Sequence, residues 1–371
     1  MPAPKDRIYK RKDGRYEGRY TVQTPDGPKR KRVYRRKYKE VQKKLAEAMG
    51  DAARGLVFDA EKQTVAEYLN RWLTDSVRDT VRRSTFVRYE SIVRHHINPT
   101  LGRLKLGRIT PQHVRALYRQ KLDDGLAPRS VQYVHTTLKK AFRQAVLDGL
   151  VPRNVCDAVK PPQVHREEVT PLSPTEIKAL LTTASGDRLE ALYVVAVHTG
   201  LRQGELLGLK WGDLDLDESK LTVQRSLAYD GMLTPPKRKN SRRTVKLTRT
   251  ATEALKHHRA RQNEERLKTG AKWMDTDLVF PNRAGGPMNA TNLYHRDWKN
   301  LLKRAELADQ GFTFHALRHT FATTLLRQNV NPKIVQHQLG HATISQTMDT
   351  YSHVMPDMGD VAAEALEAAL S

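Results

Sequence analysis

Near the end of this 371-residue chain, residues 338–354 read QLGHATISQTMDTYSHV and hold one tyrosine, Tyr351, between His341 and His353. The stretch is too polar for a core strand and too poor in apolar residues for a strongly amphipathic helix. It reads either as a surface turn with a half-buried ring or as the mount of a nucleophile. A phenol with a pKa near 10 is about one part in a thousand ionised at neutral pH, so a chemical Tyr351 needs activating groups from elsewhere. FTFHALRHTFATTLL (312–326) supplies candidates. His315 and Arg318, three apart, point to one side of a helix whose apolar stripe is Phe314, Leu317, Phe321 and Leu325. His319 shares a face with His315 at a four-residue spacing, which invites a zinc reading. HExxH chemistry needs a glutamate after the first histidine, however, and Ala316 stands there. Arg202, in HTGLRQGELLGLKWGDLD (198–215), follows the helix-ending Gly200 and has Glu205 three residues on to orient it. Such a pair serves structure as readily as function.

Composition limits what these residues can act on. Sixty-five Lys and Arg against 41 Asp and Glu give a formal net charge of +24, which points to a polyanion, either nucleic acid or an acidic membrane. No apolar run is long enough to span a bilayer, and the start, MPAPKDRIYK, lacks the hydrophobic core of a secretory signal. The single cysteine, Cys156, excludes an internal disulfide and a cysteine-based zinc site, so a reducing, cytoplasmic setting is expected. Neither GxxxxGK[ST] nor a dinucleotide-type GxGxxG occurs, and no cofactor is expected.

Most of the excess positive charge lies in the first 160 residues, and the chain reads as three domains, mainly α. Residues 1–58 predict a small three-stranded sheet and one helix. Asp13-Gly14 and Asp26-Gly27 are hairpin signals, Tyr16, Gly18, Tyr20 and Val22 share one strand face, and a helix follows from about Tyr38 to Met49. Arg15, Arg19, Lys29, Arg30, Lys31 and Arg32 are its candidate DNA contacts, as in modules that lay strands in a groove. Residues 64–160 predict a four-helix domain opened by caps at Thr64, Ser84 and Thr110-Pro111 and by Pro128, with Val131, Val134, Leu138, Ala141 and Ala145 as an apolar stripe. Arg82, Arg83, Arg88, Lys139 and Lys140 are its candidate phosphate contacts. Residues 161–173, proline-rich and charged, read as a linker. Residues 174–371 predict a mostly helical domain with a small antiparallel sheet, including a buried helix in RLEALYVVAVHTG and a tail helix near 357–369.

TGLRQGELLGL, TPPKRKNSRRTVKL, HALRHTFATTLL and QLGHATISQTMDTYSHV, in this order, resemble the tyrosine recombinase family, and its phage-integrase branch most closely. The first segment resembles arm-type-site binding domains and the second resembles core-binding domains. Phenol attack on a phosphodiester builds negative charge at phosphorus. With no carboxylate cluster to hold two metals, Arg202 and Arg318 are the groups that would bear it through paired hydrogen bonds. The resemblance implies that Tyr351 is the nucleophile and that His315 assists its proton transfer. It also implies that His341 bonds the scissile phosphate and that Lys237 protonates the leaving 5′ oxygen, with Lys239 as the alternative. The product would be a 3′-phosphotyrosyl bond, resealed without ATP. Further implications are a homotetramer on two synapsed double-stranded DNA sites, a tail helix packed in trans, and helper proteins that bend DNA and direct excision. The reaction expected is integration and excision of a prophage or other mobile element. A resolvase or topoisomerase of the same chemistry, or a non-catalytic DNA-binding regulator, is the alternative.

Overall fold

The computed structural model describes residues 8–24, 27–53, 63–164, 170–228, 230–235, 242–351 and 366–370. The chain divides into two compact units, residues 1–166 and 167–371.

The first unit begins with an antiparallel sheet of β1 (Ile8–Lys10), β2 (Tyr16–Thr24) and β3 (Gly27–Arg35), followed by α1 (Tyr38–Ala53). Val41 and Leu45 of α1 are fully buried, and Gly18 is what lets the helix come so close. A Cβ there would sit 3.0 Å from Val41 Cγ1 and 3.1 Å from Leu45 Cδ2. Pairing Gly18 with Val33 and Arg19 with Arg32 puts the glycine row under α1 and the arginine row on the open face. On that open face Glu17 is buried beneath Arg11, Arg19 and Arg32, at 2.9, 2.7 and 3.5 Å.

Next come α2 (Val65–Arg71), α3 (Arg83–Ile92), α4 (Asn98–Leu101), α5 (Pro111–Asp123) and α6 (Pro128–Leu147). A π-helical stretch, Val93–Ile97, joins α3 to α4 without a turn. Thr64 and Thr110 cap α2 and α5 through reciprocal side-chain bonds with Glu67 and His113. Ser84 does not cap α3. The helix begins one residue earlier, so Arg82 holds the cap position and Ser84 lies in the first turn. The stripe expected on α6 is buried throughout and meets Tyr68, Leu117 and Ile97 in one apolar core.

The second unit packs α7 (Pro174–Ala184), α8 (Glu190–Thr199) and α9 (Gln203–Leu207) with two small sheets. One sheet orders β4 (Leu214–Asp215), β5 (Lys220–Val223) and β8 (Arg243–Lys246); the other pairs β6 (Ser226–Leu227) with β7 (Leu233–Thr234). The remaining helices are α10 (Arg249–Thr269), α11 (Ala290–Asn292), α12 (Lys299–Arg304), α13 (Ala316–Arg327), α14 (Pro332–Leu339) and α15 (Ile344–Tyr351). Residues 191–196 of α8 are all buried, as its continuous apolar run requires. Leu172, assigned to the linker from sequence, is 4% exposed in this core, and its N–H donates to Thr320 on α13. On α13 the buried side is shifted from the expected stripe. Leu317, Ala322 and Leu326 are buried, while Phe321 and Leu325 are only partly so, because a satellite core of Val335, Leu339 and Tyr351 lies on that flank. The tail-helix span lies outside the described residues as far as 365; residues 366–370 are helical, with Leu366 and Leu370 exposed. Among the described residues no helix is long and apolar enough to cross a membrane.

Candidate active site

Two helices end at glycines that turn left-handed, Gly200 after α8 (φ +60°) and Gly340 after α14 (φ +62°). Both positions are also crowded. A Cβ on Gly200 would stand 2.4 Å from the Phe321 ring, and one on Gly340 would stand 2.7 Å from Arg243. At the second end the N–H groups of Gly340 and His341 return to the carbonyls of His337 and Gln336, the bond pattern of a Schellman cap. Other carbonyls at these ends find partners in arginine side chains. Arg318, 3% exposed, donates from Nη1 to Gly200 O and from Nη2 to Leu339 O, each at 2.7 Å. Arg202 reaches Gly340 O at 3.4 Å, and Arg243 donates from Nε to Gln338 O at 2.6 Å. Helix C-termini carry partial negative charge, so this is a favourable place to collect guanidinium groups.

Glu205 completes the frame. It is 6% exposed and accepts from Arg243 at 2.9 and 3.3 Å, from Arg202 Nη1 at 2.9 Å and from the Arg202 N–H at 3.0 Å. Burial works against its charge, but the bonds and charges of Arg243 and Arg202 outweigh it and hold the carboxyl below its usual range. The contact with the main-chain N–H also opens α9 in the manner of a capping box. Arg318 is also held below its usual range, but here the shift works against the charge. Burial and the nearby Arg202 charge both disfavour its cation, so an anion entering here would relieve the strain of two like charges.

Phe314 packs on Trp298 and Tyr193, and Trp298 Nε1 donates to Phe312 O, which fixes where α13 begins. His315, the residue before α13, is exposed but lies among protein and arginine charge. Loss of water around the ring to the neighbouring protein, then the charges of Arg318 and Arg202, push its pKa down to about 4. His341 is buried, bonds Thr347 Oγ1 through Nδ1 at 2.8 Å, and is pushed down to about 3 by burial and the three arginines. Both rings are therefore neutral at physiological pH. Tyr351 is the last residue of α15 and only 2% exposed, and burial raises its phenol to about 12. Its hydroxyl lies 2.7 Å from His319 Nδ1. The surface-turn reading of this stretch is therefore replaced by a short helix with a buried ring.

The structure thus brings Arg202, His315, Arg318, His341 and Tyr351 into one neighbourhood, together with three residues that sequence reasoning left without a part there: His319, Arg243 and Thr347. Only His319 had a local signal, its place next to Arg318. Lys237 and Lys239 lie outside the described residues, in the connection from β7 to β8. A separate cleft of about 490 Å³, lined by Trp211, Asp215, Asp217, Lys256 and Arg259 among others, contains none of these side chains.

The basic candidates of the first unit fall into distinct settings. Arg15, Arg19, Arg30 and Arg32 are exposed, and the register puts Arg19, Arg30 and Arg32 on the open face of the sheet. Arg19 covers the Tyr9 ring and Arg15 the Tyr34 ring. Lys31 pairs with Tyr20 on the α1 side and is partly buried, since alternation along β3 splits the basic run between two faces. The Lys29 side chain lies outside what is described. Arg82, Arg83 and Arg88 are exposed on or beside α3. Arg88 lies over Tyr133 and Lys140 over Tyr89, which forms a basic, aromatic seam along α3 and α6. Lys139 turns away to Asp157 at 2.9 Å.

Residues 171–358 match the phage integrase family, and residues 64–122 match the N-terminal SAM-like domain of phage integrases. A tyrosine recombinase XerC-like protein of Caldanaerobacter subterraneus subsp. tengcongensis is 33% identical over 91% of this chain and 91% of its own length. The chain belongs to the phage integrase family. It is a tyrosine recombinase, a site-specific enzyme that cleaves and joins DNA strands. An integrase of Streptomyces ambofaciens is 32% identical over 84% of this chain and 82% of its own. Among solved structures, the Tn1549 transposon integrase in complex with circular intermediate DNA has a TM-score of 0.69 at 22% identity, covering 83% of this recombinase and 99% of that chain. A lambda integrase dimer bound to a core site has a TM-score of 0.58 at 20% identity, with 96% of each chain covered. At those identities the likeness is one of fold.

Proposed function

We propose that Tyr351 attacks a DNA phosphodiester held by Arg202 and Arg318, and that the resulting 3′-phosphotyrosyl bond serves integration and excision of a mobile genetic element. The observation that carries this reading is the convergence of two guanidiniums on the ends of α8 and α14, in the same neighbourhood as the Tyr351 phenol. Arg318 spends two donors on carbonyls and keeps the rest of its fork for the nonbridging oxygens. His341 accepts from Thr347 through Nδ1 when the proton is on Nε2, so Nε2–H is the donor it would offer to the phosphate. His315 assists proton movement, and Lys237, or Lys239 beside it, protonates the leaving 5′ oxygen. The N-terminal sheet and the four-helix domain bind two classes of DNA site. Strand exchange takes place in a tetramer, with a DNA-bending protein and an excision factor as helpers.

Two relatives carry names that fit this reading: an ICEBs1 integrase of Bacillus subtilis and a prophage integrase of Escherichia coli. The test is covalent trapping on a nicked duplex carrying the true site, whose cleaved fragment diffuses away. Wild type should accumulate a protein–DNA adduct, while Tyr351→Phe should bind the same duplex with unchanged affinity and form none. An adduct with the phenylalanine variant would overturn the assignment.

A further inference from the structure

The partner of the nucleophile in this structure is His319. Its Nδ1 stands 2.7 Å from the Tyr351 hydroxyl, with the two rings 5.6 Å apart. The His315 ring meets the His319 ring edge to face at 4.7 Å. The tyrosine is fixed in this contact by the satellite core around Ala322, Leu326, Val335 and Leu339. We propose that His319 is the general base of the reaction, the group that accepts the phenolic proton as Tyr351 attacks, and that His315 assists this transfer through its ring contact with His319 and not by taking the proton itself. This rests on Tyr351 being the nucleophile.

With the His319 proton on Nε2, Nδ1 is an acceptor and the phenol donates to it. As the Tyr351 oxygen bonds to phosphorus, its O–H bond breaks and the proton passes to Nδ1. The bond from phosphorus to the 5′ oxygen breaks, and that oxygen leaves with its electron pair and takes a proton from the general acid. In rejoining, the incoming 5′ hydroxyl gives its proton back to the acid, and the imidazolium returns its own to the departing phenolate.

Among the described residues, the titratable and charged groups facing His319 are His315 and Arg318 on its own helix side and Tyr351 from α15. Burial, then His315 and Arg318, push its pKa down to about 4. The ring is therefore neutral and ready to accept in the resting enzyme. A phosphodiester on Arg202 and Arg318 brings negative charge that offsets those cations, which raises the basicity of His319 only once substrate is in place. The proton acceptor is thereby linked to occupancy of the phosphate site.

The experiment uses the full-length chain, the nicked duplex described above, and His319→Gln, which keeps an acceptor for the phenol but takes up no proton. Each protein is made with tyrosine or with 3,5-difluorotyrosine at position 351, the latter being the more acidic phenol. General bases contribute about 10²–10⁴-fold, so adduct formation by His319→Gln should be at least about 10²-fold slower. Fluorination should restore much of that loss while changing the wild-type rate little. Because this comparison is made within each variant, a partly unfolded preparation does not mask it. A His319→Gln rate within about threefold of wild type would overturn the proposal, and so would a loss that fluorination does not relieve, since a mere tether has no dependence on phenol acidity. If Tyr351→Phe still forms adduct, the nucleophile assignment fails first. If it forms none while His319→Gln reacts normally, only the role of His319 fails.

Discussion

Removing the Glu205 charge should destabilise the catalytic unit far more than an ordinary salt bridge would. Glu205 holds two arginines in different surroundings. Arg202 is 37% exposed in its side chain, and a solvent-screened pair of that kind contributes about 0–1 kcal/mol. The Arg243 side chain is 1% exposed, and removing the Glu205 carboxylate takes this counter-charge from a buried guanidinium, which costs about 3–5 kcal/mol. The Arg243 contact therefore dominates. At roughly 2–4 °C per kcal/mol for a domain of this size, Glu205→Gln should melt about 6–20 °C below wild type at neutral pH. The pH dependence has a definite sign. The folded carboxyl has a depressed pKa, so its contribution is fully present above the unfolded value near 4.3 and is lost as pH falls through the lower folded value. The gap between wild type and Glu205→Gln should therefore close on acidification below about pH 4. Replacing the buried pair by an apolar pair, Glu205→Leu with Arg243→Met, should recover stability without recovering cleavage, because Arg202 then lacks its orienting carboxylate. Thermal unfolding followed by circular dichroism from pH 3 to 8 decides the matter. A Glu205→Gln gap below about 1 kcal/mol, or one that persists unchanged in acid, would refute the reasoning.

Gly200→Ala should destabilise by about 1–3 kcal/mol in urea unfolding, since a methyl group would meet the Phe321 ring at 2.4 Å in a left-handed backbone. It should also slow cleavage by moving the carbonyl that holds Arg318. Arg318→Lys keeps the charge but loses the fork that spans Gly200 O and Leu339 O, and single-turnover cleavage should fall by about 10²–10³-fold. Deleting residues 1–58 should spare cleavage at the core site and weaken binding to a second class of site. The slope of log affinity against log salt should shrink by about 0.9 for each DNA phosphate that the truncated chain no longer neutralises, and an unchanged slope in filter binding would place the basic strands off DNA.

The residues proposed to do chemistry stood out in the sequence because their types are scarce in combination and their spacing is local. Arg202 with Glu205, and His315 with Arg318, sit three apart on helical turns. The α6 stripe and the fully apolar α8 were legible for the same reason: periodicity reports burial. The groups that hold the site were not legible. Arg318 is anchored by the carbonyls of Gly200 and Leu339, and a main-chain carbonyl has no letter of its own. The contact between His319 and Tyr351 spans 32 positions and depends on how α15 lies against α13. The basic run in β3 gave the right charge but not its division between faces, which only the register with β2 determines.

Anchoring the clustered arginines on peptide carbonyls has a consequence for how such an enzyme can diverge. A carbonyl is present whatever the residue, so substitution at position 338 or 339 leaves the hydrogen-bond acceptors in place provided the helix still ends where it does. The two glycines are the letters that this anchoring makes hardest to replace. Recognition of new DNA sites can then evolve on neighbouring surfaces while the placement of the arginines is inherited unchanged.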